Sequence, residues 1–205
     1  MRVIAGRARS LRLKTPKGQE TRPTTDRIKE TLFNMIQGEI PDSIFVDLFA
    51  GSGGIGIEAL SRGAKYAYFV DNDREAAACI QDNLSFTRFT NQATLLKQDA
   101  FIALSAIREK EVDIIFIDPP YLAGLEQDLL EALGRQSYVT PNTLLILEAK
   151  INTDFSFAQE AGFTVVREKK YKTNKHVFFR RGEEEPQIDE KAGNDYEESN
   201  LSGKF

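Results

Sequence analysis

The chain has 205 residues, 41 % apolar and 28 % charged, enough to bury a sizeable core in one domain with at most a small appendage. One cysteine, Cys79, excludes a disulfide framework and a multi-cysteine zinc site, and one histidine, His176, excludes a His-rich metal centre. The net charge of −4 is concentrated: residues 183–205 hold eight acids against Lys191 and Lys204, whereas residues 1–30 hold nine basic side chains against three acids, which points to a polyanionic partner.

In chain order, residues 1–23 are basic and punctuated by Gly6, Pro16, Gly18 and Pro23, and they read as an arm or small hairpin. From Thr25 or Asp26 a helix is predicted, with Ile28, Leu32, Met35 and Ile36 at helical spacing and Gly38 and Pro41 ending it. Strands at 44–49, 66–70, 94–97, 112–117 and 143–147 then alternate with helices near 54–62, 73–85, 100–109 and 124–134. Such alternation, with runs as apolar as Ile114-Ile115-Phe116-Ile117, implies an α/β fold with a mostly parallel, doubly wound sheet. A short helix near 155–161 and strands near 163–171 and 175–181 follow, the strands as an antiparallel C-terminal edge hairpin. The division predicted is an arm and helix over 1–40, a catalytic domain over 41–182 and an acidic disordered tail over 183–205. No apolar run approaches the ~20 residues that span a bilayer, and the first residues lack a signal-peptide core. The expectation is a cytoplasmic protein with neither metal nor membrane.

After the first strand comes Asp47-Leu48-Phe49-Ala50-Gly51-Ser52-Gly53-Gly54-Ile55-Gly56, in which Gly51, Gly53 and Gly56 satisfy G-x-G-x-x-G; Asp71 follows at the end of the second strand. That spacing lets a nucleoside-bearing cofactor approach the backbone where a helix starts, with an acid for its ribose. Asp47, Asp71, Asp99 and Asp118 all fall at strand ends, so they gather at the carboxyl edge of the sheet. Two like charges ~4 Å apart repel by about 4 kcal/mol at an effective dielectric near 20, so four acids disfavour the pyrophosphate of NAD or FAD. S-adenosylmethionine, a sulfonium with an ammonium group and no phosphate, suits them. The alternative role for Asp71 or Asp99 is to cap the following helix.

Asp118-Pro119-Pro120-Tyr121 follows the apolar fourth strand. Pro-Pro stiffens the turn and leaves carbonyls free, so a carboxylate, a fixed carbonyl and a ring stand together for a planar base with an exocyclic amine. Cys79, within a helix, reads as buried packing, and His176, between Lys175 and Val177, as a surface residue.

The glycine loop with Asp118–Tyr121 resembles the amino-methylating branch of Rossmann-like methyltransferases. Arg2-Val3-Ile4-Ala5-Gly6, the stretch Arg22 to Asn34 (RPTTDRIKETLFN) and Asp47 to Arg62 (DLFAGSGGIGIEALSR) further resemble the bacterial RsmD family, which methylates guanine N2 in 16S ribosomal RNA. The chain departs from it at Ser10, where the family usually has glycine, and around Asn174, where a glycine is also usual. The resemblance implies a Rossmann-like fold dependent on S-adenosyl-L-methionine. Asp47, Phe49, Gly51, Ser52, Gly53 and Gly56 would line the methionine end, Asp71 the ribose, and Asn72, Asp99 and Ala100 the adenine. Asp118, Pro119, Pro120 and Tyr121 would hold the target base. Arg2, Arg7, Arg9, Arg12, Arg22 and Arg27 would meet RNA, probed as a small-subunit particle by a monomer. Open alternatives are adenine-N6 or cytosine-N4 methylation of DNA or RNA, an NAD-dependent oxidoreductase, and a non-catalytic RNA-binding protein.

Overall fold

The computed structural model describes residues 1–16, 26–120 and 125–182. Arg22, Tyr121 and the acidic stretch 183–205 lie outside the described residues. Helix α1 (Asp26–Met35) precedes a repeating strand–helix series: β1 (Ile44–Asp47), α2 (Gly54–Ser61), β2 (Tyr66–Val70), α3 (Arg74–Thr87), β3 (Ala93–Leu96), α4 (Ala100–Leu104), β4 (Ile114–Ile117), α5 (Leu125–Gly134) and β5 (Leu144–Lys150). Strands β6 (Phe163–Lys170) and β7 (Asn174–Arg181) close the chain's described part. One seven-stranded sheet has the order β3-β2-β1-β4-β5-β7-β6, parallel through β5 and antiparallel at β7 and β6.

Strand residues alternate between two buried layers, as a sheet covered on both faces requires. Phe45, Ile114, Phe116, Ile146 and Phe178 pack with α1, α2 and α3, while Val46, Ile115, Ile117, Leu145 and Val177 pack with α4 and α5. The chain passes from the first layer to the second between β3 and β4, so the strand order reverses between β1 and β4. That seam is where ligands enter open α/β sheets.

Of the boundaries that differ from the sequence reading, three have a visible reason. Strand β1 stops at Asp47 because the chain then straddles two neighbours: Leu48 N donates to Phe116 O and Ala50 N to Val70 O. Helix α4 ends at Leu104, and the next turn brings Ile107 into the core instead of continuing the helix. The stretch near 155–161 forms only a 3₁₀ turn, Ser156–Ala158, because Asp154 accepts from both the Ser156 backbone N–H and its hydroxyl, a local competitor of helix.

The N-terminal segment is a small hairpin, bridged Arg2↔Arg12 and bonded Val3 N to Leu11 O and Ser10 N to Val3 O. Ser10 sits at φ +71, in the left-handed region, so the glycine usual there has a steric reason. The hairpin is bolted to α2. Glu58, fully buried, accepts from Ile4 N at 2.7 Å, Ala5 N at 3.0 Å and Arg62 Nε at 2.8 Å. It also pairs with the equally buried Lys29 of α1 at 3.2 Å, and Lys29 donates to Arg2 O at 2.6 Å. Burial pulls the Lys29 ammonium below its ordinary range, with Glu58 opposing that shift. Gly6 lies so close to α2 that a Cβ there would stand 1.8 Å from Ser61 O.

Removing one partner of a buried ion pair strands the other. Glu58→Ala leaves Lys29 unpaired and two backbone N–H groups unsatisfied, so it should cost about 3–5 kcal/mol in urea unfolding. A Glu58→Ala protein with the wild-type midpoint would show that the hairpin is held by its apolar residues alone.

Candidate active site

The loop after β1 is built around two carboxylates. Asp47, 1 % exposed, accepts from Gly56 N at 2.9 Å and so fixes the first turn of α2 against the strand end. Asp71, just past β2, accepts from Gly51 N at 2.8 Å and Asp73 N at 2.9 Å. Gly51 at φ +54 and Gly53 at φ +76 make the turn between these two ties. A Cβ on Gly51 would meet nothing within 4 Å, so the turn faces open space, whereas one on Gly56 would stand 2.4 Å from the Phe69 ring. The glycines therefore serve two purposes, an open cradle at Gly51 and close helix–sheet packing at Gly56.

Electrostatics at this edge are those of crowded, desolvated acids. Burial raises the Asp47 carboxyl to about 7, with the Gly56 bond opposing and Asp71 adding repulsion. Burial likewise raises Asp71, against its two backbone donors. Asp118, directly after β4, is pushed well above the carboxylate range by burial, then by Glu148 and Asp47. Asp47, Asp71 and Asp118 thus face one another electrostatically across the β1–β4 seam and its β2 flank.

The remaining site residues are placed as follows. Asp99 is exposed and caps α4, accepting from Phe101 N at 2.9 Å, while Asp71 caps no helix; Asp73 does that for α3. Asn72 is exposed and Ala100 buried; Phe49 is half-buried and packs on the α4 and α5 layer. Ser52 is buried, its hydroxyl on the Met1 sulfur and its carbonyl on Asn83. Pro119 is buried and Pro120 exposed. Beside Asp99, the Gln98 Nε2 is buried without a partner among the described residues. Cys79 is buried and its thiol donates to Lys14 O.

Residues 1–180 match the family described as conserved hypothetical protein 95. The ribosomal RNA small subunit methyltransferase D of Haemophilus influenzae is 33 % identical over 171 residues, 82 % of this chain and 88 % of that protein. The chain belongs to this methyltransferase D family. A Bacillus subtilis protein named for rRNA methylation, YlbH, is 40 % identical over 150 residues, 72 % of this chain and 82 % of its own length. A solved Escherichia coli structure named as a methyltransferase superposes with a TM-score of 0.78 at 31 % identity, covering 88 % of this chain and 97 % of that one.

The family-type arginines fare unequally. Arg2, Arg9 and Arg27 line a hollow of ≈ 380 Å³ with Asp26 and Glu30, and Arg2 pairs with Asp26 at 2.7 Å. Arg12 is exposed beside Lys14 and Phe86. Arg7 is exposed, lies over the Phe89 ring at 5.1 Å and donates to Gln92 at 3.0 Å.

His176 corrects the sequence reading: it is fully buried, because its ring packs against Phe116 and Tyr171 and bonds Glu148 on the face of the sheet. The residue that sequence reasoning missed altogether is its partner Glu148, an acid at the carboxyl end of β5 one strand from Asp118. Its place after an apolar run, like that of the four aspartates, was the available signal.

The tight fit at Gly56 can be tested alone. Gly56→Ala forces a methyl group onto Phe69 and should destabilise by about 1–3 kcal/mol in a thermal melt, with Phe69→Leu in the same chain recovering part of the loss. An unchanged melt would mean that α2 shifts freely.

Proposed function

We propose that the protein transfers a methyl group from S-adenosyl-L-methionine to the exocyclic N2 amine of a guanine in the 16S RNA of the small ribosomal subunit. The observation that carries the reading is the group of carboxylates around an open glycine turn, followed at the same seam by Asp118-Pro119-Pro120. The donor set fits that cofactor: acids for a cation and for hydroxyls, an open cradle at Gly51, and an unpartnered Gln98 donor beside the expected adenine edge. Asp47 and the loop from Gly51 to Gly56 would hold its methionine end, Asp71 its ribose, and Asn72, Asp99 and Ala100 its adenine. Bound there, it supplies an electrophilic methyl group on a sulfonium.

The chain's own part is placement. Asp118 and the Pro119 carbonyl would accept from the target amine, and Tyr121, next in sequence, would stack on the base. A guanine amine is a poor nucleophile, so alignment matters; holding it in line is worth ~7–11 kcal/mol of the barrier. Acceptors aimed at the amine favour the geometry in which its lone pair attacks. A single base offers little binding area, so most RNA affinity would come from phosphate contacts of Arg2, Arg9, Arg12 and Arg27, with Arg22 continuing the set.

Protein given methyl-labelled cofactor and either 16S RNA or small subunits should yield N2-methylguanine in nucleoside mass spectrometry. N6-methyladenine or N4-methylcytosine as the sole product would move the chain to the rival amine class. Replacing Arg9, Arg12 and Arg27 together by alanine should spare cofactor affinity and flatten log K against log salt by roughly 2–3 units. An unchanged slope would remove these side chains from the RNA interface.

Cofactor affinity should depend on pH through Asp47. Because its carboxyl is raised to about 7, it is largely protonated at pH 6, and a cationic ligand must displace that proton. One pH unit below the midpoint costs a ligand of the ionised form about tenfold, so binding should weaken by about that factor from pH 8 to pH 6, with proton release in calorimetry. Asp47→Asn should abolish the dependence; a wild-type affinity flat across this range would take Asp47 out of cation binding.

A further inference from the structure

Glu148 and His176, both buried, extend the row of site acids away from the seam. Sheet alternation puts Asp47, Asp118, Glu148 and His176 in phase on the face that packs α2, across β1, β4, β5 and β7 in turn. Ile117 pairs with Leu147, so Asp118 and Glu148 are each the next residue on, and Glu148 pairs directly with His176. Both Glu148 oxygens are clamped: Oε1 accepts from Asn174 Nδ2 at 2.5 Å and Oε2 meets His176 Nε2 at 3.1 Å. A carboxylate only accepts, so Nε2 donates to Glu148, while Nδ1 lies 3.1 Å from the Tyr171 hydroxyl. Burial and Glu148 push that phenol up to about 12, keeping it a donor. Phe116 and Tyr171 meet the imidazole edge-on, at 6.0 and 5.1 Å between ring centres, and leave it one orientation.

Resting on the function proposed above, we infer that Glu148 and His176 are positioning residues for the proton of the target amine: His176 and Asn174 fix the Glu148 carboxylate, which holds Asp118 as acceptor of that proton. The balance is simple. As the amine nitrogen bonds to the methyl carbon, the electron pair of the broken S–C bond stays on sulfur, and one N–H proton passes to the Asp118 carboxylate; Glu148 exchanges none. The fixed like charge raises the proton affinity of Asp118 and stabilises positive charge growing on the base. Among the described residues, the other acid that acts on Asp118 is Asp47, from β1, itself bonded to Gly56 of α2 and repelled by Asp71. Lys175 is no counterion here: next along β7, it turns to the opposite face and pairs with Glu168 at 2.8 Å.

The test begins on protein without cofactor. Carboxyl ¹³C spectra of aspartate-labelled protein, with Asp118 assigned by its loss in Asp118→Asn, should titrate above the usual carboxylate range. Glu148→Gln should lower that midpoint by about one pH unit. The ¹⁵N spectrum of the sole histidine should show the Nε2–H tautomer. With methyl-labelled cofactor and 16S RNA, Glu148→Gln should move the acid limb of kcat/KM down by the same amount while KM for the cofactor stays put. His176→Leu should lower kcat roughly tenfold, and His176→Gln, which keeps a donor and an acceptor, should restore most of it. An Asp118 midpoint and acid limb unmoved by Glu148→Gln would overturn the inference. Should that variant not fold, equal kcat in His176→Leu and His176→Gln would do the same. A wild-type protein that methylates neither 16S RNA nor small subunits overturns the function itself, a failure distinct from an active wild type indifferent to Glu148.

Discussion

A single carboxylate buried at the end of the first strand sets the geometry on which this molecule depends. Asp47 accepts from Gly56 N and thereby decides where α2 begins relative to β1, and the glycine turn hangs between that bond and the one from Gly51 to Asp71. The arrangement is costly for folding. A carboxyl raised to about 7 in the folded chain, against about 3.9 when unfolded, binds more protons folded than unfolded, so its contribution to stability falls as pH rises from about 4 to about 7. A cation bound beside Asp47 would favour its ionised form and recover part of what burial took.

The same economy explains the buried network around Lys29. Glu58 on α2 collects two backbone N–H groups of the hairpin, the Lys29 ammonium and the Arg62 guanidinium, while Arg62 also covers the Phe33 ring at 5.1 Å. Because α2 is also the helix whose start Asp47 fixes, the basic hairpin, α1 and the glycine turn are referenced to one element. Asn83 of α3 completes the frame, accepting from Lys14 N and donating to Lys14 O and Ser52 O.

Much of this was legible in the sequence, and the failures share a cause. Period and punctuation sufficed for the parallel sheet, because runs such as Ile114–Ile117 are buried on both faces and each is followed by a turn-forming acid or glycine. Asp47, Asp71 and Asp118 lie together at the carboxyl edge, because strand ends are set by topology, whereas Asp99 is exposed and caps α4. What periodicity does not encode is which strand of the last pair lies outermost. With β7 inserted between β5 and β6, residues that look like a charged edge are interior: Lys175 is 6 % exposed, and Arg181 spends its guanidinium on Val139 O and Gly134 O. The outer strand β6 carries the edge features instead, a bulge at Val166 and the exposed Arg167, Lys169 and Lys170 that blunt pairing with another chain.

That inversion also changes which cations can serve a polyanion. A second basic run, from Arg167 to Arg181, is also present in the sequence. In the structure, Lys175, Arg180 and Arg181 are committed to Glu168, Glu39 and main-chain carbonyls, whereas Arg167, Lys169, Lys170 and Lys172 stay exposed. The exposed cations left over on the N-terminal side, Arg9, Arg12 and Arg27, stand on the hairpin and helix that Glu58 locks to α2. Phosphate contacts made there would bear on a rigid body already joined through Lys29, Met1 and Asn83 to Gly54 and Ser52 of the glycine turn. A hairpin serving only as a sticky tether would need none of those bonds; one that presents RNA in a fixed relation to the seam needs all of them.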